Sequence, residues 1–276
     1  MARTPDNFVA ANESEVTHWH EAFFGVEFLL LHASPVYYGL DIPHGNGSGV
    51  MLIPGFLASD AYMFEMYAWL KRIGYQPYYS GIVLNAECPN LLLKQQLNRT
   101  IDQAVQETGG PIHIIGHSLG GIIARALAKL RPEDTASVIS LGSPFRGRVI
   151  NNKNVLFAAE MVRKFILMKN GSKVLPDCYT GRCTCNFVDS LRRDIPEDVP
   201  QTSVYTRHDG VVDWRYCRTG DKKVDVEVSG THAGLAFNPK VYTIIATRLA
   251  ETFRPELRPA LKSLKPKEAG NGCRPR

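Results

Sequence analysis

The stretch Gly116-His117-Ser118-Leu119-Gly120-Gly121 places one hydroxyl between glycines two residues to either side. The preceding Ile112-His113-Ile114-Ile115 is apolar and rich in isoleucine, which reads as a short buried strand. After it, Ile122, Ile123, Ala126 and Leu127 recur at helical spacing among good helix formers. A serine at the apex of such a strand–turn–helix unit projects its hydroxyl free of the sheet. Glycines two before and two after remove side chains that would clash, and the helix start aims unpaired N–H groups where an oxyanion would form. The same spacing also describes a serine that merely caps a helix, so the reading depends on finding partners for Ser118.

A serine hydroxyl needs a base within hydrogen-bond reach, and the base needs an acceptor that fixes its tautomer. In the α/β-hydrolase arrangement, which the Ser118 turn resembles, acid and then base follow the serine along the chain, and of the eight histidines only His208 and His232 follow Ser118 with a carboxylate between. His232 lies in the small-residue loop Ser229-Gly230-Thr231-His232-Ala233-Gly234, which lets an imidazole swing over the serine, and is the choice for the base. Asp209, in Arg207-His208-Asp209-Gly210-Val211-Val212, is the choice for the acid. Asp213 competes, with a turn or an ion pair to Arg215 as its alternative role. The oxyanion would be held by the backbone N–H groups of Leu119 and Phe56. Leu57 and Phe145 are the expected substrate-binding side chains.

The elements around these residues alternate. A helix is expected over Glu13–His32, its apolar face formed by Val16, Trp19, Phe23, Phe24, Phe28 and Leu31. Strands are expected at Gly49–Ile53, Tyr75–Val83, 112–115, Ala136–Leu141, Thr202–Thr206 and Lys223–Val228. Helices are expected at Ser59–Arg72, Leu91–Glu107, after Ser118 to Leu130, and from Pro239 to about Phe253. That rhythm predicts an α/β fold with a mostly parallel central sheet and helices on both faces. Catalytic groups of such a sheet sit beyond the carboxyl ends of its strands. The Pro54-Gly55 loop, Ser118 and Gly142-Ser143-Pro144 all fall there. The rhythm breaks over 145–200, too long for an ordinary connection. Its apolar run Val155–Met168 emerges from the catalytic edge and reads as a lid or cap, with a surface subdomain as the alternative. The divisions are therefore 1–48 as a segment packing on the core, 49–144 and 201–253 as the core, 145–200 as the insertion and 254–276 as a basic tail.

Taken together, the GHSLGG turn, Leu141-Gly142-Ser143-Pro144, the Asp209-Gly210-Val211-Val212 loop and Gly230-Thr231-His232 resemble the α/β-hydrolase superfamily, most of all its bacterial lipase and esterase branch. The resemblance runs from about Gly49 to Phe253 apart from the insertion. It implies an α/β-hydrolase fold, with Ser118 as nucleophile, Asp209 as acid, His232 as base, and Phe56 and Leu119 at the oxyanion hole. The chain departs from the lipase pattern in having Pro54-Gly55 where many members have His-Gly. The cysteine-bearing insertion has no counterpart in the smallest lipases.

The expected reaction is hydrolysis of a carboxylic ester with an apolar acyl group, by a lipase or carboxylesterase. Acyl transfer or thioester hydrolysis through the same acyl-enzyme is the alternative. A non-catalytic binding protein on this fold is a third and weaker reading. No metal, nucleotide or flavin signature is present, so no cofactor is expected.

Composition is that of a globular chain, 44% hydrophobic and 21% charged. The 254–276 tail carries seven basic side chains against two acidic ones, the whole of the net +5, together with four prolines. It reads as disordered, and the charge balance elsewhere argues against a nucleic-acid partner. The expected partner is a small-molecule or lipid ester, with peripheral contact to lipid surfaces left open. No apolar leader and no membrane-spanning run are visible, consistent with a cytoplasmic chain or a mature secreted form. Six cysteines permit three disulfides, ranked ahead of free thiols and of a metal site.

Overall fold

Six short strands build one parallel sheet in the order β2-β1-β3-β4-β5-β6. They are β1 (Gly49–Ile53), β2 (Gln76–Tyr79), β3 (Ile112–His117), β4 (Thr135–Leu141), β5 (Gln201–Tyr205) and β6 (Asp225–Glu227). The computed structural model describes Glu21, residues 23–146 and residues 185–252. The expected disorder of the 254–276 tail and the apolar run Val155–Met168 lie outside the described residues.

The central strands are buried on both faces, as parallel strands under helices must be, and their side chains divide with a period of two. On one face Val50, Leu52, Ile115 and Ile139 pack with α1 (Phe24–Ala33), α2 (Phe64–Arg72) and α7 (Pro239–Glu251), through residues such as Leu31, Trp69 and Tyr242. On the other face Met51, Ile53, Ile114 and Val138 meet three helices. One begins at α3 (Pro89–Leu92) and passes through a π turn (Leu93–Leu97) into α4 (Asn98–Thr108). The others are α5 (Leu119–Leu130) and α6 (Asn186–Leu191).

Three expectations are altered. The strand expected over Tyr75–Val83 stops at Tyr79. Beyond it the Asp60 carboxylate accepts hydrogen bonds from the Ser80 hydroxyl and the Gly81 N–H, both at 2.6 Å, which turns the chain out of the sheet. The first helix begins, among the described residues, at Phe24. Phe23 and Phe24 are half exposed, not part of a core-facing stripe, while Glu27 and Leu31 are buried. Lastly, the end of the 145–200 insertion belongs to the core. Phe187, Ile195 and Val199 join the α4–α5 side of the sheet, and α6 packs against α5. Residues 185–200 therefore form part of a helical layer.

Candidate active site

Ser118 sits between β3 and α5 with φ 51° and ψ −120°. A residue with a Cβ rarely adopts this conformation, and it costs on the order of 1–3 kcal/mol unless its surroundings impose it. They do so through close backbone packing. A Cβ on Gly116 would overlap the Gly120 carbonyl, and one on Gly120 would overlap the carbonyls of Ile53 and Pro54. One on Gly121 would overlap the Ser143 hydroxyl. The start of α5 thus lies directly on the ends of β1 and β3, where only glycine fits. The Ser118 N–H donates to the Leu141 carbonyl at the end of β4 at 2.8 Å, fixing the turn across the sheet edge.

The loop after β1 closes on this turn. A Cβ on Gly55 would stand 3.3 Å from the Ser118 Cβ. Asn85 holds the loop in shape. Its Nδ2 donates to the Pro54 carbonyl at 2.7 Å, its carbonyl accepts from the Leu57 N–H at 3.0 Å, and its N–H donates to the Ala58 carbonyl at 2.8 Å. Among the described residues, the N–H groups of Phe56 and Leu119 have no hydrogen-bond partner. Leu57 is 43% exposed, with φ +60°. Phe145 is half-buried, and its ring lies against the Arg125 guanidinium, 3.6 Å from ring centroid to Cζ.

Asp209 and His232 come together from two later loops. The His232 Nδ1–H donates to Asp209 Oδ2 at 2.7 Å, and both side chains are buried. Asp209 Oδ1 accepts from the N–H groups of Val211 and Val212 at 2.9 and 2.8 Å, so the carboxylate is aimed by its own loop. Burial alone would push the His232 imidazole down. The Asp209 carboxylate, by charge and hydrogen bond, and then the charge of Glu21, outweigh it and leave the imidazole raised above its ordinary value. Asp213, the competing acid, accepts from the Arg215 N–H and pairs with its guanidinium, both at 3.0 Å, which is the alternative role its spacing suggested. His208 is exposed.

The imidazole faces the serine edge. The His117 ring, one residue before Ser118, lies 4.9 Å from the His232 ring. A Cβ on Gly142 would stand 3.1 Å from His232 Nδ1. His117 donates from Nε2 to the His232 carbonyl at 2.9 Å, and because a carbonyl only accepts, the bond fixes the His117 tautomer. Burial drives His117 down to about 3, with the nearby His232 adding to the shift, so it stays neutral beside the His232 ring.

Four contributors were missed in the sequence. Glu21 accepts from the N–H groups of Gly210, His232 and Ala233, and Glu27 accepts from the Thr231 N–H at 3.1 Å and from its hydroxyl. Tyr62 donates to the Ala233 carbonyl, and Asn85 shapes the Phe56 loop. Only Glu27 left a signal. It is the single carboxylate in the apolar run Phe23–Leu31, a place where a buried charge requires partners.

Among the described residues no cluster of histidine, cysteine or carboxylate side chains could hold a metal ion, and no helix is long and apolar enough to cross a membrane. Cys217 is a buried free thiol, pushed well up by burial and by the nearby Asp209 and Asp213, so the six cysteines cannot all pair into three disulfides. Cys178, Cys183 and Cys273 lie outside the described residues.

Known proteins are similar to parts of this chain. Residues 90–178, which include the Ser118 turn, match the family described as PGAP1-like alpha/beta domain. A triacylglycerol lipase from Burkholderia plantarii is 28% identical over 132 residues, covering 45% of this chain and 37% of that lipase. The chain thus aligns with little more than a third of the length of that curated relative. The solved monoacylglycerol lipase of Paleococcus ferrophilus superposes with a TM-score of 0.52 at 14% identity, over 77% of this chain and 97% of that one. At that identity the superposition speaks to fold, which is the parallel sheet with helices on both faces described above. In fold the chain is similar to α/β-hydrolases, and in the segment around Ser118 it is similar to a PGAP1-like domain and to a lipase.

Proposed function

We propose that the protein hydrolyses carboxylic esters through a covalent acyl-enzyme on Ser118, with His232 as general base and acid and Asp209 as its orienting carboxylate. The observation that carries this reading is the strained Ser118 backbone, φ 51°, at the same sheet edge as a buried Asp209–His232 pair joined at 2.7 Å. Strain held at one serine beside a ready base is what a nucleophile requires and what a helix cap does not.

In the reaction, His232 Nε2 takes the Ser118 proton as Oγ attacks the acyl carbonyl. The oxyanion accepts hydrogen bonds from the N–H groups of Leu119 and Phe56, which have no partner among the described residues. The imidazolium, steadied by Asp209, then gives its proton to the leaving alcohol as the ester bond breaks. Water repeats the sequence on the acyl-enzyme and releases the acid. The exposed Leu57 beside this loop, and Phe145 after β4, would border an apolar acyl group. The relative named as a triacylglycerol lipase supports a lipid or other apolar ester as substrate class.

The test is hydrolysis of p-nitrophenyl esters of increasing acyl length by the wild type and by Ser118→Ala and His232→Ala. Loss of turnover in both variants, with the fold intact, is expected. Full activity in Ser118→Ala would overturn the mechanism. The sign of the pH dependence follows from His232. The base must be neutral, and Asp209 raises its pKa, so kcat/KM falls on acidification at a higher pH than an ordinary imidazole would give.

A further inference from the structure

The two loops that carry Asp209 and His232 end different strands, yet one carboxylate from the segment before α1 binds both. Glu21 Oε1 accepts from the Gly210 N–H at 2.9 Å and from the His232 N–H at 2.8 Å. Its Oε2 accepts from the Ala233 N–H at 2.9 Å. These N–H groups belong to the residue after the acid, to the base itself and to the residue after the base. The main-chain bridge through Glu21 therefore spans the same gap as the side-chain bond between Asp209 and His232.

A second carboxylate braces the bridge. Glu27 accepts from the Thr231 N–H and hydroxyl, and it fills the space beside Gly230 and Gly234, where a Cβ would overlap it. His117 and Tyr62 hold the carbonyls of His232 and Ala233. From Thr231 N to Ala233 O, all three N–H groups and the carbonyls of His232 and Ala233 bind side chains remote in sequence, and the Thr231 carbonyl accepts from the Leu235 N–H. Such loops at a sheet edge could satisfy the same groups with water. A fixed acceptor instead holds both loops in one arrangement.

We propose that Glu21 is a positioning residue for the catalytic pair, its carboxylate tying the Asp209 loop to the His232 loop so that the imidazole keeps its seat on the acid while it takes up and returns a proton. The proposal rests on the assignment of His232 as the base. The charge of Glu21 also bears on the imidazole. The titratable groups against His232 are Asp209 after β5, His117 at the end of β3 and Glu21 before α1, while Tyr62 after β1 and Glu27 on α1 hold the neighbouring Ala233 and Thr231. His117 is held neutral by burial. Tyr62 is pushed above the ordinary phenol range, and Glu27 is raised by burial against its hydrogen bonds. Asp209 and Glu21 are the carboxylates whose charge favours the imidazolium. Removing the Glu21 charge lowers the pKa of His232 and moves the acid limb of kcat/KM to lower pH.

The experiment compares Glu21→Gln and Glu21→Asp with the wild type in the full chain. It follows p-nitrophenyl butyrate turnover across the acid limb and titrates His232 by ¹⁵N NMR of labelled histidine, the signal assigned by its loss in His232→Ala. Glu21→Gln is expected to lower kcat by about ten- to a hundredfold with KM within about twofold, because the reacting groups and not the substrate are displaced. His232 then titrates at lower pH. Glu21→Asp keeps the charge but shortens the reach. It should keep the wild-type titration while losing kcat, and it carries the test if the glutamine variant does not fold. An unchanged His232 titration in Glu21→Gln, or a kcat loss in Glu21→Asp no larger than its loss of folded protein, overturns the proposal. Failure of the serine mechanism shows separately, as activity in Ser118→Ala, and leaves the NMR titration still able to decide the role of Glu21.

Discussion

The serine turn and the His232 loop lie at one sheet edge and are built by opposite means. The turn at Ser118 is held by what is missing. Gly116, Gly120 and Gly121 let α5 settle onto the strand ends, and the contacts that enforce it are main chain against main chain at Gly116 and Gly120 and against the Ser143 side chain at Gly121. The loop at Thr231–Ala233 is held by what is supplied. Glu21, Glu27, Tyr62 and His117 reach it from 211, 204, 171 and 115 residues away in sequence. In its proposed role as nucleophile, Ser118 stands in a strained backbone and gains from rigid steric enforcement. In its proposed role as base, His232 changes charge and gains from polar partners that answer the change. The difference should appear when each region is perturbed.

The largest effect is expected from the acid. Asp209→Asn should reduce kcat/KM by about four orders of magnitude, since an amide no longer fixes the imidazole tautomer. Asp213→Asn should leave kcat/KM within a few-fold, because Asp213 serves a turn and an ion pair with Arg215. Steady-state kinetics on the two purified variants separates them, and the reverse result would move the acid to Asp213.

Steric enforcement at the turn is next. Gly120→Ala forces a Cβ against the Ile53 and Pro54 carbonyls and should cost about 3 kcal/mol or more, read as a lowered urea midpoint. A midpoint like the wild type's would mean that α5 can shift, and the contrast between the two regions would fail. Asn85→Ala tests the loop between them. It leaves the Pro54 carbonyl without its donor, for a loss of about 1–3 kcal/mol, and lowers kcat with little change in KM if Phe56 serves the oxyanion.

The smallest effect has the opposite sign. Ser118→Gly should abolish turnover and stabilise the fold by about 1 kcal/mol, because glycine takes a φ of 51° without strain. A rise in the melting temperature checks it, and a fall would mean that the Ser118 side chain contributes packing that outweighs its backbone strain.

The alternation of strands and helices, and so the parallel sheet, was legible from apolar periodicity, because strands buried on both faces need near-continuous apolar runs. The Ser118 turn was legible because its geometry rests on residues that are neighbours in sequence. The Asp209–His232 pair was legible through chain order and the composition of the two loops, and the structure adds the 2.7 Å bond between them. Strand ends were less so. Tyr79 ends β2 because Asp60, distant in sequence, captures Ser80 and Gly81. The role expected of Phe23 and Phe24 failed for a related reason. An apolar side chain in a helix faces the core only if the helix is rotated that way, and here α1 is turned to deliver Glu27 to Thr231.

The sequence by itself determined the fold class, the Ser118 turn and the two later loops that carry Asp209 and His232, since these rest on local backbone chemistry and on apolar patterning. Only the tertiary structure decided which side chains satisfy the main chain of the His232 loop. A carboxylate such as Glu21 carries no mark of its partners until folding brings three N–H groups from two loops to its oxygens.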